Sequence, residues 1–210
     1  MNYKDLRKEY ILHQLDPDLV VDSPFDQFRN WFDEAISAHA NEANAMVLST
    51  VSKEGRPSSR YLLLKEISER GFVFFTNYKS RKALEMDSNP NVCLVFYWRE
   101  LERQVRIEGR VEKISIDESE EYFNSRPLGS RISAIASPQS QSISNRKVLE
   151  EKIKFLNEHP ELVVMPEHWG GYLVVPECIE FWQGRESRMH DRICYKRNFE
   201  GHWNKEILAP

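Results

Sequence analysis

The sequence has no apolar run long enough to span a bilayer, and residues 1–10 are dense in charge rather than apolar. These features exclude a transmembrane helix and a secretory signal, so we expect a cytoplasmic protein. Lysine and arginine number 29 against 33 acidic residues, and the formal net charge of −4 gives no general field for attracting nucleic acid or an acidic membrane. Any basic chemistry must therefore be local.

Cysteine and glycine are also scarce. Cys93, Cys178 and Cys194 are far apart in the sequence and form no C-x-x-C pair, so we expect reduced core thiols rather than a disulfide or a metal site. The glycines form neither G-x-G-x-x-G nor G-x-x-x-x-G-K-[ST], and the βαβ alternation of a nucleotide-binding parallel sheet is missing. If the chain holds a phosphorylated ligand, its side chains must do most of the binding.

Apolar residues alternate with polar ones through much of the chain. In residues 103–116, Val105 and Ile107 alternate with Gln104 and Arg106, which predicts a strand with one buried face and Gln104 on the other. Turn-forming residues separate this segment from similar short runs. The predicted strands are residues 45–51, 59–66, 72–76, 91–98, 103–116, 169–175, 178–183, 188–196 and 203–208.

Helical spacing is confined to a few segments. Ser23 and Pro24 begin an amphipathic helix whose apolar stripe runs from Phe25 to Ile36. Further helices are predicted at residues 80–88, 117–125, 130–136 and 144–157. The first strands suggest an antiparallel meander, and the whole pattern suggests a closed or nearly closed β-barrel with a helical lobe. A chain of 210 residues buries one good core, so we expect one domain.

Cationic and hydroxyl-bearing residues recur at the predicted strand ends and turns. Guanidinium groups chelate phosphate oxygens in pairs, and ammonium groups and hydroxyls complete such a shell. Taken singly, each cluster is more typical of solvated surface charge. The clusters are Ser59-Arg60 with Lys65, Ser80-Arg81-Lys82, Ser125-Arg126 with Ser130, and Arg188 with Arg192.

Several short strings occur in a fixed order along the chain. They are RYLLLK at 60–65, FTN at 75–77, SRK at 80–82, LERQV at 101–105, YFNSRP at 122–127, WGG at 169–171, FWQGR at 181–185, RMHDR at 188–192 and LAP at 208–210. Any one of them is weak, but the ordered set closely resembles the pyridoxine/pyridoxamine 5'-phosphate oxidase family over residues 4–210. The resemblance reverses the surface-charge interpretation of the clusters.

The resemblance implies a mainly β (α+β) fold, an FMN-binding split β-barrel of antiparallel strands with an added helical lobe at about residues 117–157. It implies a homodimer with FMN between the subunits and an N-terminal lid at about residues 1–22. The implied activity is that of a pyridoxal 5'-phosphate synthase. It oxidises pyridoxamine and pyridoxine 5'-phosphates with O2, giving H2O2 and, from the amine, ammonia.

Family positions map onto this sequence residue by residue. The implied catalytic residues are Arg188 and His190. The implied FMN contacts are Arg60, Tyr61, Leu62, Leu63, Leu64, Lys65, Phe75, Thr76, Arg81, Lys82, Gln104, Gln139, Ser140, Trp182 and Arg192. The implied substrate contacts are Arg7, Tyr10, Lys65, Tyr122, Arg126, Ser130, Arg188, Met189 and His190. No metal site is implied.

Physical reasoning supports these assignments in part. Two phosphate esters side by side require several Arg and Lys residues, which the strings supply. Spacing alone would make His190 a packed or surface histidine, and the resemblance assigns it a substrate contact rather than a general-base role. The chain departs from the family pattern at Met189, where Leu is usual, and at Ile207, where Arg is usual. The second departure removes an end-of-chain salt bridge.

Two other functions fit the same fold. One is a binding module that carries flavin or stores pyridoxal 5'-phosphate without turnover, against which the intact Arg188 and His190 argue. The other is a flavin oxidoreductase for a different substrate, against which Lys65, Tyr122 and Arg126 argue together with Ser130, because they form a site for a substrate phosphate.

Overall fold

A computed structural model describes residues 2–5 and 9–210. Its strands are β1 (Ala45–Val51), β2 (Pro57–Leu63), β3 (Glu66–Ser68), β4 (Gly71–Asn77), β5 (Asn91–Trp98), β6 (Arg103–Lys113), β7 (Trp169–Gln183), β8 (Asp191–Arg197) and β9 (Trp203–Ile207). Its α-helices are α1 (Pro24–Ser37), α2 (Arg81–Ser88), α3 (Ile116–Ser125), α4 (Leu128–Ala136) and α5 (Lys147–Glu158). Across the described residues, no helix is long and apolar enough to cross a membrane.

The strands form one antiparallel sheet in the order β2-β1-β5-β6-β7-β4-β3, and β8 and β9 extend it from β7. The segment joining β2 to β3 closes the sheet on itself. Leu64 N–H donates to Asn44 O beside β1 at 2.8 Å, and Lys65 N–H donates to Val73 O on β4 at 2.9 Å. The predicted barrel is therefore confirmed.

The antiparallel meander predicted for the first strands is confirmed as two consecutive hairpins, β1–β2 and β3–β4, with the second predicted strand divided between β2 and β3. After the β3–β4 hairpin, β4 pairs with β7 from the end of the chain. The two strands predicted around Pro176 are one, β7, because the strand continues through a β-bulge at Glu177, the extra residue between the pairs Gly109↔Pro176 and Glu108↔Cys178. At Gly109 a Cβ atom would lie 2.2 Å from Val175 O, so only glycine allows this approach.

Two predicted strand ends are also wrong. The strand predicted from residue 188 begins at Asp191, because Ser187 and Arg188 have φ of 53° and 64° in a short 3-10 turn. The strand predicted to residue 116 ends at Lys113, because Ser115 caps α3 through a reciprocal capping box with Glu118. Both interruptions are local backbone features that override the apolar pattern.

The core lies between the barrel and α1. Ser23 Oγ caps this helix by accepting from Asp26 N–H at 3.3 Å, and the helix buries Phe28 and Trp31 against the sheet. Ile36, the last member of the predicted stripe, is 54% exposed. A smaller separate cluster joins α4 to α5 through Ile132, Ala136, Leu156 and Val163.

The three cysteines are free thiols. Two of them are closer than their sequence spacing indicates, since the Sγ atoms of Cys178 on β7 and Cys194 on β8 lie 3.0 Å apart. Hydrogen bonding to Cys194 and burial raise the pKa of the Cys178 thiol, whereas the same hydrogen bond lowers that of Cys194.

Candidate active site

A cleft of about 490 Å³ opens between the barrel and the helical segments α3 and α4. The strand pairing of β4 with β7 places one wall, and α3 places the other. The predicted contacts that line it are Tyr61, Leu62, Leu63, Lys65, Phe75, Thr76, Tyr122, Arg126 and Gln139. Residues far apart in the sequence therefore meet in one cavity, which we call the cleft.

Aromatic rings form one wall of the cleft. Phe75 stacks on Tyr122 with ring centroids 3.9 Å apart, and on Trp169 at 5.3 Å. The guanidinium of Arg126 lies over the Trp169 ring at 4.9 Å, and burial lowers its pKa. Its Nη1 atom is buried and has no hydrogen-bond partner among the described residues. Such an orphaned donor beside a cavity fits an anionic ligand.

Behind the cleft lies Lys82, which is only 7% exposed. Its ammonium donates to Gln139 Oε1 at 2.8 Å, and to Thr76 Oγ1 at 3.3 Å. Where the structure describes the chain, no carboxylate lies within ion-pair distance of it. Burial and the charge of Arg60 together lower the pKa of Lys82 to about 8. A buried ammonium held only by neutral groups is a candidate anion ligand.

Arg60 on β2 and Arg81 on α2 meet at Glu85, one helical turn after Arg81. Arg81 Nε lies 2.8 Å from Glu85 Oε1, and Arg60 Nη2 lies 3.4 Å from Glu85 Oε2. Together with Lys82 these residues form the cation group: Arg60, Arg81, Lys82 and Glu85. Three positive charges and one negative charge leave a net charge of +2 at neutral pH. That charge matches a phosphate monoester, which carries nearly two negative charges.

The second group of predicted residues lies on β6, β7 and β8. Gln104, Trp182 and Arg192 are aligned across these strands by the register Gln104↔Trp182↔Arg192. Val105 is buried while Gln104 is half-buried, so the predicted alternation on this strand is confirmed. Arg192 Nε pairs with Glu180 at 2.9 Å, and its Nη1 donates to Ala209 O at 2.8 Å. The backbone near the end of the chain thus binds Arg192, although Ile207 stands where the family usually has arginine.

Three rings form what we call the aromatic platform: Tyr10, Trp182 and His190. The ring centroids of Trp182 and His190 lie 4.6 Å apart, and Tyr10 lies 5.6 Å from Trp182 and 5.8 Å from His190. A Cβ atom at Gly184 would lie 2.6 Å from Tyr10 Cγ, so glycine permits this packing. The platform therefore joins the N-terminal segment to the β7–β8 turn.

Carboxylates hold the N-terminal segment in place. Glu102 Oε2 accepts from the backbone N–H groups of Ile11 at 2.8 Å and Leu12 at 3.1 Å. Asp191 Oδ2 accepts from Leu15 N–H at 3.0 Å and pairs with Arg185 Nη1 at 2.8 Å. Asp191 is thus engaged by the backbone and by an arginine rather than forming a dyad with the adjacent histidine.

His190 is oriented by a backbone donor. Arg185 N–H donates to His190 Nδ1 at 3.1 Å, so in the neutral ring the proton is on Nε2. Burial and the nearby charge of Arg188 lower the pKa of His190, against an opposing effect of Asp191. A neutral ring with its proton on Nε2 can donate a hydrogen bond to a substrate without adding positive charge.

The remaining predicted residues lie around these groups. Met189, His190 and Arg192 line a separate cleft of about 340 Å³, and Ser140 lines a shallow one beside Arg81. Arg188 and Met189 are exposed in the turn before β8. Other predicted contacts lie outside the cleft lining, namely Ser130 in the first turn of α4 and the buried Leu64. Arg7 lies outside the described residues.

One chain does not bring all the predicted flavin contacts together. Thr76 in the cleft pairs with Gly170 at the start of β7, whereas Trp182 lies near the end of that strand. An extended strand separates Gly170 from Trp182 by roughly 40 Å of chain. The cleft and the aromatic platform are therefore separate sites within a single subunit.

Sequence reasoning missed Glu85, and it assigned no ligand contact to Asn77 or Trp169. The i, i+4 spacing of Arg81 and Glu85 on a predicted helix was the available signal for the first. Asn77 and Trp169 line the cleft because β4 and β7 pair over it, a long-range contact that no local pattern indicates.

The closed antiparallel sheet with helices over a cationic cleft defines this molecule as a split β-barrel protein. Residues 32–159 match the family model described as pyridoxamine 5'-phosphate oxidase. Residues 169–210 match the one described as the pyridoxine 5'-phosphate oxidase C-terminal dimerisation region. The chain belongs to the pyridoxine/pyridoxamine 5'-phosphate oxidase family.

Individual relatives cover almost the whole chain. The pyridoxine/pyridoxamine 5'-phosphate oxidase of Cupriavidus pinatubonensis is 51% identical over 207 residues, 98% of each protein. That of Actinobacillus pleuropneumoniae is 52% identical over 211 residues, 100% of each. Among solved structures, PhzG from Burkholderia lata 383, in complex with tetrahydrophenazine-1-carboxylic acid, has a TM-score of 0.89 and 28% identity, with 93% of this chain and 98% of that one covered.

Proposed function

We propose that this chain oxidises pyridoxamine 5'-phosphate and pyridoxine 5'-phosphate to pyridoxal 5'-phosphate, with FMN as cofactor and O2 as electron acceptor. Hydrogen peroxide is the second product, and the amine substrate also releases ammonia. The observation that carries the proposal is the 51% sequence identity, over 98% of the chain, to a relative named for this activity. The cleft and the cation group supply a physical basis for it.

The cation group fits the phosphate of FMN. Its net charge of +2 balances a phosphate dianion, and Lys82 lacks a carboxylate partner among the described residues. The side chain of Ser80 makes no capping hydrogen bond at the start of α2, so the first-turn N–H groups remain available to the same anion. Thr76 and Gln139 link this group to the cleft.

The cleft fits the phosphorylated substrate. Arg126, with its orphaned Nη1, and Lys65 supply positive charge, and Tyr122 supplies a hydroxyl at the same cavity. Ser130 completes the proposed substrate-phosphate set from the first turn of α4. When bound, the flavin supplies the acceptor for the hydride that leaves the substrate carbon. The protein must hold that carbon in the geometry that the reaction requires, and it must exclude water.

A homodimer would complete the site. Family models describe residues 169–210 as a dimerisation region, and β7, β8 and β9 lie there. The barrel also exposes an apolar groove that includes Tyr61, which is 79% exposed, and Tyr97, which is 52% exposed. We propose that the platform strands of one subunit, with Gln104, Trp182 and Arg192, face the flavin held in the cleft of its partner.

The platform then supplies the reacting end of the site. Arg188 is proposed to orient the substrate, and His190, held by Arg185 N–H, to contact it through Nε2. Residues 1–22 are proposed to act as a lid in which Arg7 and Tyr10 close over the substrate, while residues 117–157 form the helical lobe above the cleft. No step in this proposal requires a metal ion.

The test begins with the purified chain. Its bound chromophore is released and identified by mass, and oxygen consumption is then measured on adding pyridoxamine 5'-phosphate. We expect FMN and rapid oxygen uptake with an equal amount of hydrogen peroxide. FMN without uptake would support a non-catalytic binding protein, and uptake with unphosphorylated substrates alone would support a different oxidoreductase; either result would overturn the proposal.

A further inference from the structure

A carboxylate lies at the centre of the cation group, where an anion is proposed to bind. Glu85 is 6% exposed. Burial alone would raise its pKa, but hydrogen bonds from Ser58 and Thr50 and the interaction with Arg81 lower it to about 2. Glu85 is therefore ionised throughout the physiological range. A fixed negative charge at this place would repel a phosphate unless it has a compensating task.

The contacts of Glu85 show what that task is. Thr50 Oγ1 donates to Oε2 at 2.5 Å and Ser58 Oγ donates to the same atom at 2.6 Å. These two hydroxyls are also the acceptors for Arg60, whose Nη1 donates to Thr50 Oγ1 at 2.6 Å and whose Nη2 donates to Ser58 Oγ at 2.5 Å. The carboxylate thus fixes Arg60 both directly and through the two hydroxyls.

Arg81 is held differently, by one nitrogen only. Its Nε donates to Glu85 Oε1 at 2.8 Å, and within residues 2–5 and 9–210 its two Nη atoms make no hydrogen bond. The side chain is 64% exposed, so these Nη groups are open to a ligand. A guanidinium held at Nε and free at both Nη atoms is oriented for bidentate binding of a phosphate.

Charge gives the same conclusion. Burial and the charge of Arg60 lower the pKa of Lys82, and burial and the charge of Arg81 lower the pKa of Arg60 against the opposing effect of Glu85. Without Glu85 three cations from β2 and α2 would face one another with no counter-charge among these residues. Mutual repulsion would then drive the flexible side chains apart before a ligand arrives.

We infer that Glu85 is a positioning residue that holds Arg60 and Arg81 ready for the flavin phosphate, and thereby makes the site select FMN over riboflavin. This inference rests on the proposed binding of FMN. A purely structural ion pair that ties α2 to the barrel would stabilise the fold without affecting the choice between the two flavins. Riboflavin lacks only the phosphate, so it is the matched ligand that separates the two roles.

The experiment compares Glu85→Gln with the parent protein after removal of flavin, by titrating FMN and riboflavin and following the quenching of flavin fluorescence. We expect FMN affinity to fall about 10- to 100-fold, while riboflavin affinity changes less than about 2-fold. Glu85→Asp, which keeps the charge, should recover part of the lost selectivity. Thermal unfolding of each apoprotein reports any loss of structure separately.

Glu34→Gln is the matched control, because Glu34 pairs with the buried Arg103 at 2.6 Å, outside the cation group. It should lower thermal stability and leave the ratio of FMN to riboflavin affinity unchanged. Arg81→Gln, which alters an exposed side chain, should reduce the further effect of Glu85→Gln in a double variant if Glu85 acts through Arg81.

Three outcomes would overturn the inference. Equal weakening of both flavins would make Glu85 a structural residue, and tighter FMN binding by Glu85→Gln would make it only an opposing charge. An FMN affinity that Glu85→Gln leaves unchanged, where the parent protein binds FMN tightly, would remove the positioning role alone. If the parent bound neither flavin, the proposed function would fail together with the inference.

Discussion

The cleft and the aromatic platform differ in how far a single chain completes them. In the cation group behind the cleft, Lys82 is buried without a carboxylate partner and Arg81 keeps both Nη atoms open, so its charge is not balanced by the described residues. On the platform side, Arg192 is already bonded to Glu180 and to the backbone of Ala209. The cleft is thus prepared for an anion, whereas the platform is held by the protein's own contacts.

This difference indicates that the cleft and the aromatic platform have different roles. The cleft is formed by β4, β7 and α3 within one subunit, so the phosphate binding proposed for it would depend on packing that exists before the ligand arrives. The platform depends on the N-terminal segment, which backbone hydrogen bonds to Glu102 and Asp191 hold at the surface. We therefore expect cleft variants to change cofactor affinity and platform variants to change turnover.

The largest effect is expected at the turn before β8. Arg188→Ala should retain FMN but lower kcat/KM about 100- to 1000-fold, because the proposal assigns its guanidinium to orienting the substrate. Steady-state oxygen uptake and flavin titration measure the two quantities separately. Arg197→Ala, an exposed arginine on β8, is the control and should change neither. Loss of flavin with unchanged turnover would contradict the division between the two regions.

The next effect lies in the cation group. Lys82→Met should weaken FMN binding about 10- to 100-fold, since a charge-assisted hydrogen bond contributes about 1.5–3 kcal/mol. The same change should leave the melting temperature of the apoprotein equal or higher, because it removes the desolvation cost of a buried ammonium. Lys79→Met, an exposed neighbouring lysine, is the control. Undiminished FMN affinity would show that the phosphate lies elsewhere.

The pH dependence of flavin binding sharpens the same point. The pKa of Lys82 is lowered to about 8 by burial and by Arg60, and a bound phosphate should raise it again. FMN affinity should therefore be constant from about pH 7 to 8 and fall above it by at most about tenfold per pH unit. Riboflavin affinity and the Lys82→Met variant should lack this decline. A flat FMN profile to about pH 9.5 would contradict the assignment.

The smallest effect is expected at the platform lid. Tyr10→Ala removes ring contacts with Trp182 and His190, each contributing about 0.5–1.5 kcal/mol, so KM for the phosphorylated substrate should rise about 2- to 10-fold. FMN affinity should not change. Tyr3→Ala, which alters a 79% exposed ring, is the control. If FMN affinity fell by a larger factor than KM rose, Tyr10 would contact the cofactor rather than the substrate.

Much of the fold follows from local sequence patterns. The alternation in β6 and the capped start of α1 predicted elements that the structure contains, because period and capping act over a few residues. Errors arose where backbone geometry or a distant partner intervened. Pro176 ended a predicted strand because the bulge at Glu177, through which β7 stays paired with β6, cannot be recognised from the sequence of β7 alone.

The candidate site divides in the same way. Short sequence strings located the cations of the candidate site, because the family resemblance is carried by strings that occur in a fixed order along the chain. They did not reveal that Glu85 lies among those cations. They also did not reveal that β7 separates Trp182 from Gly170, the residue that pairs with Thr76. Those facts depend on strand register and on the packing of α2 against the barrel.

By itself the sequence determined most of the helical and strand segments and the positions of the cations to which phosphate binding is proposed, because both depend on residue type and short spacing. Only the tertiary structure decided that Arg60, Arg81 and Lys82 converge around one carboxylate while Trp182 and His190 lie apart from them. The physical reason is that α2 packs against the paired strands β1 and β2, whereas β7 carries Trp182 far from the cleft, and such tertiary contacts relate charges that no local pattern relates.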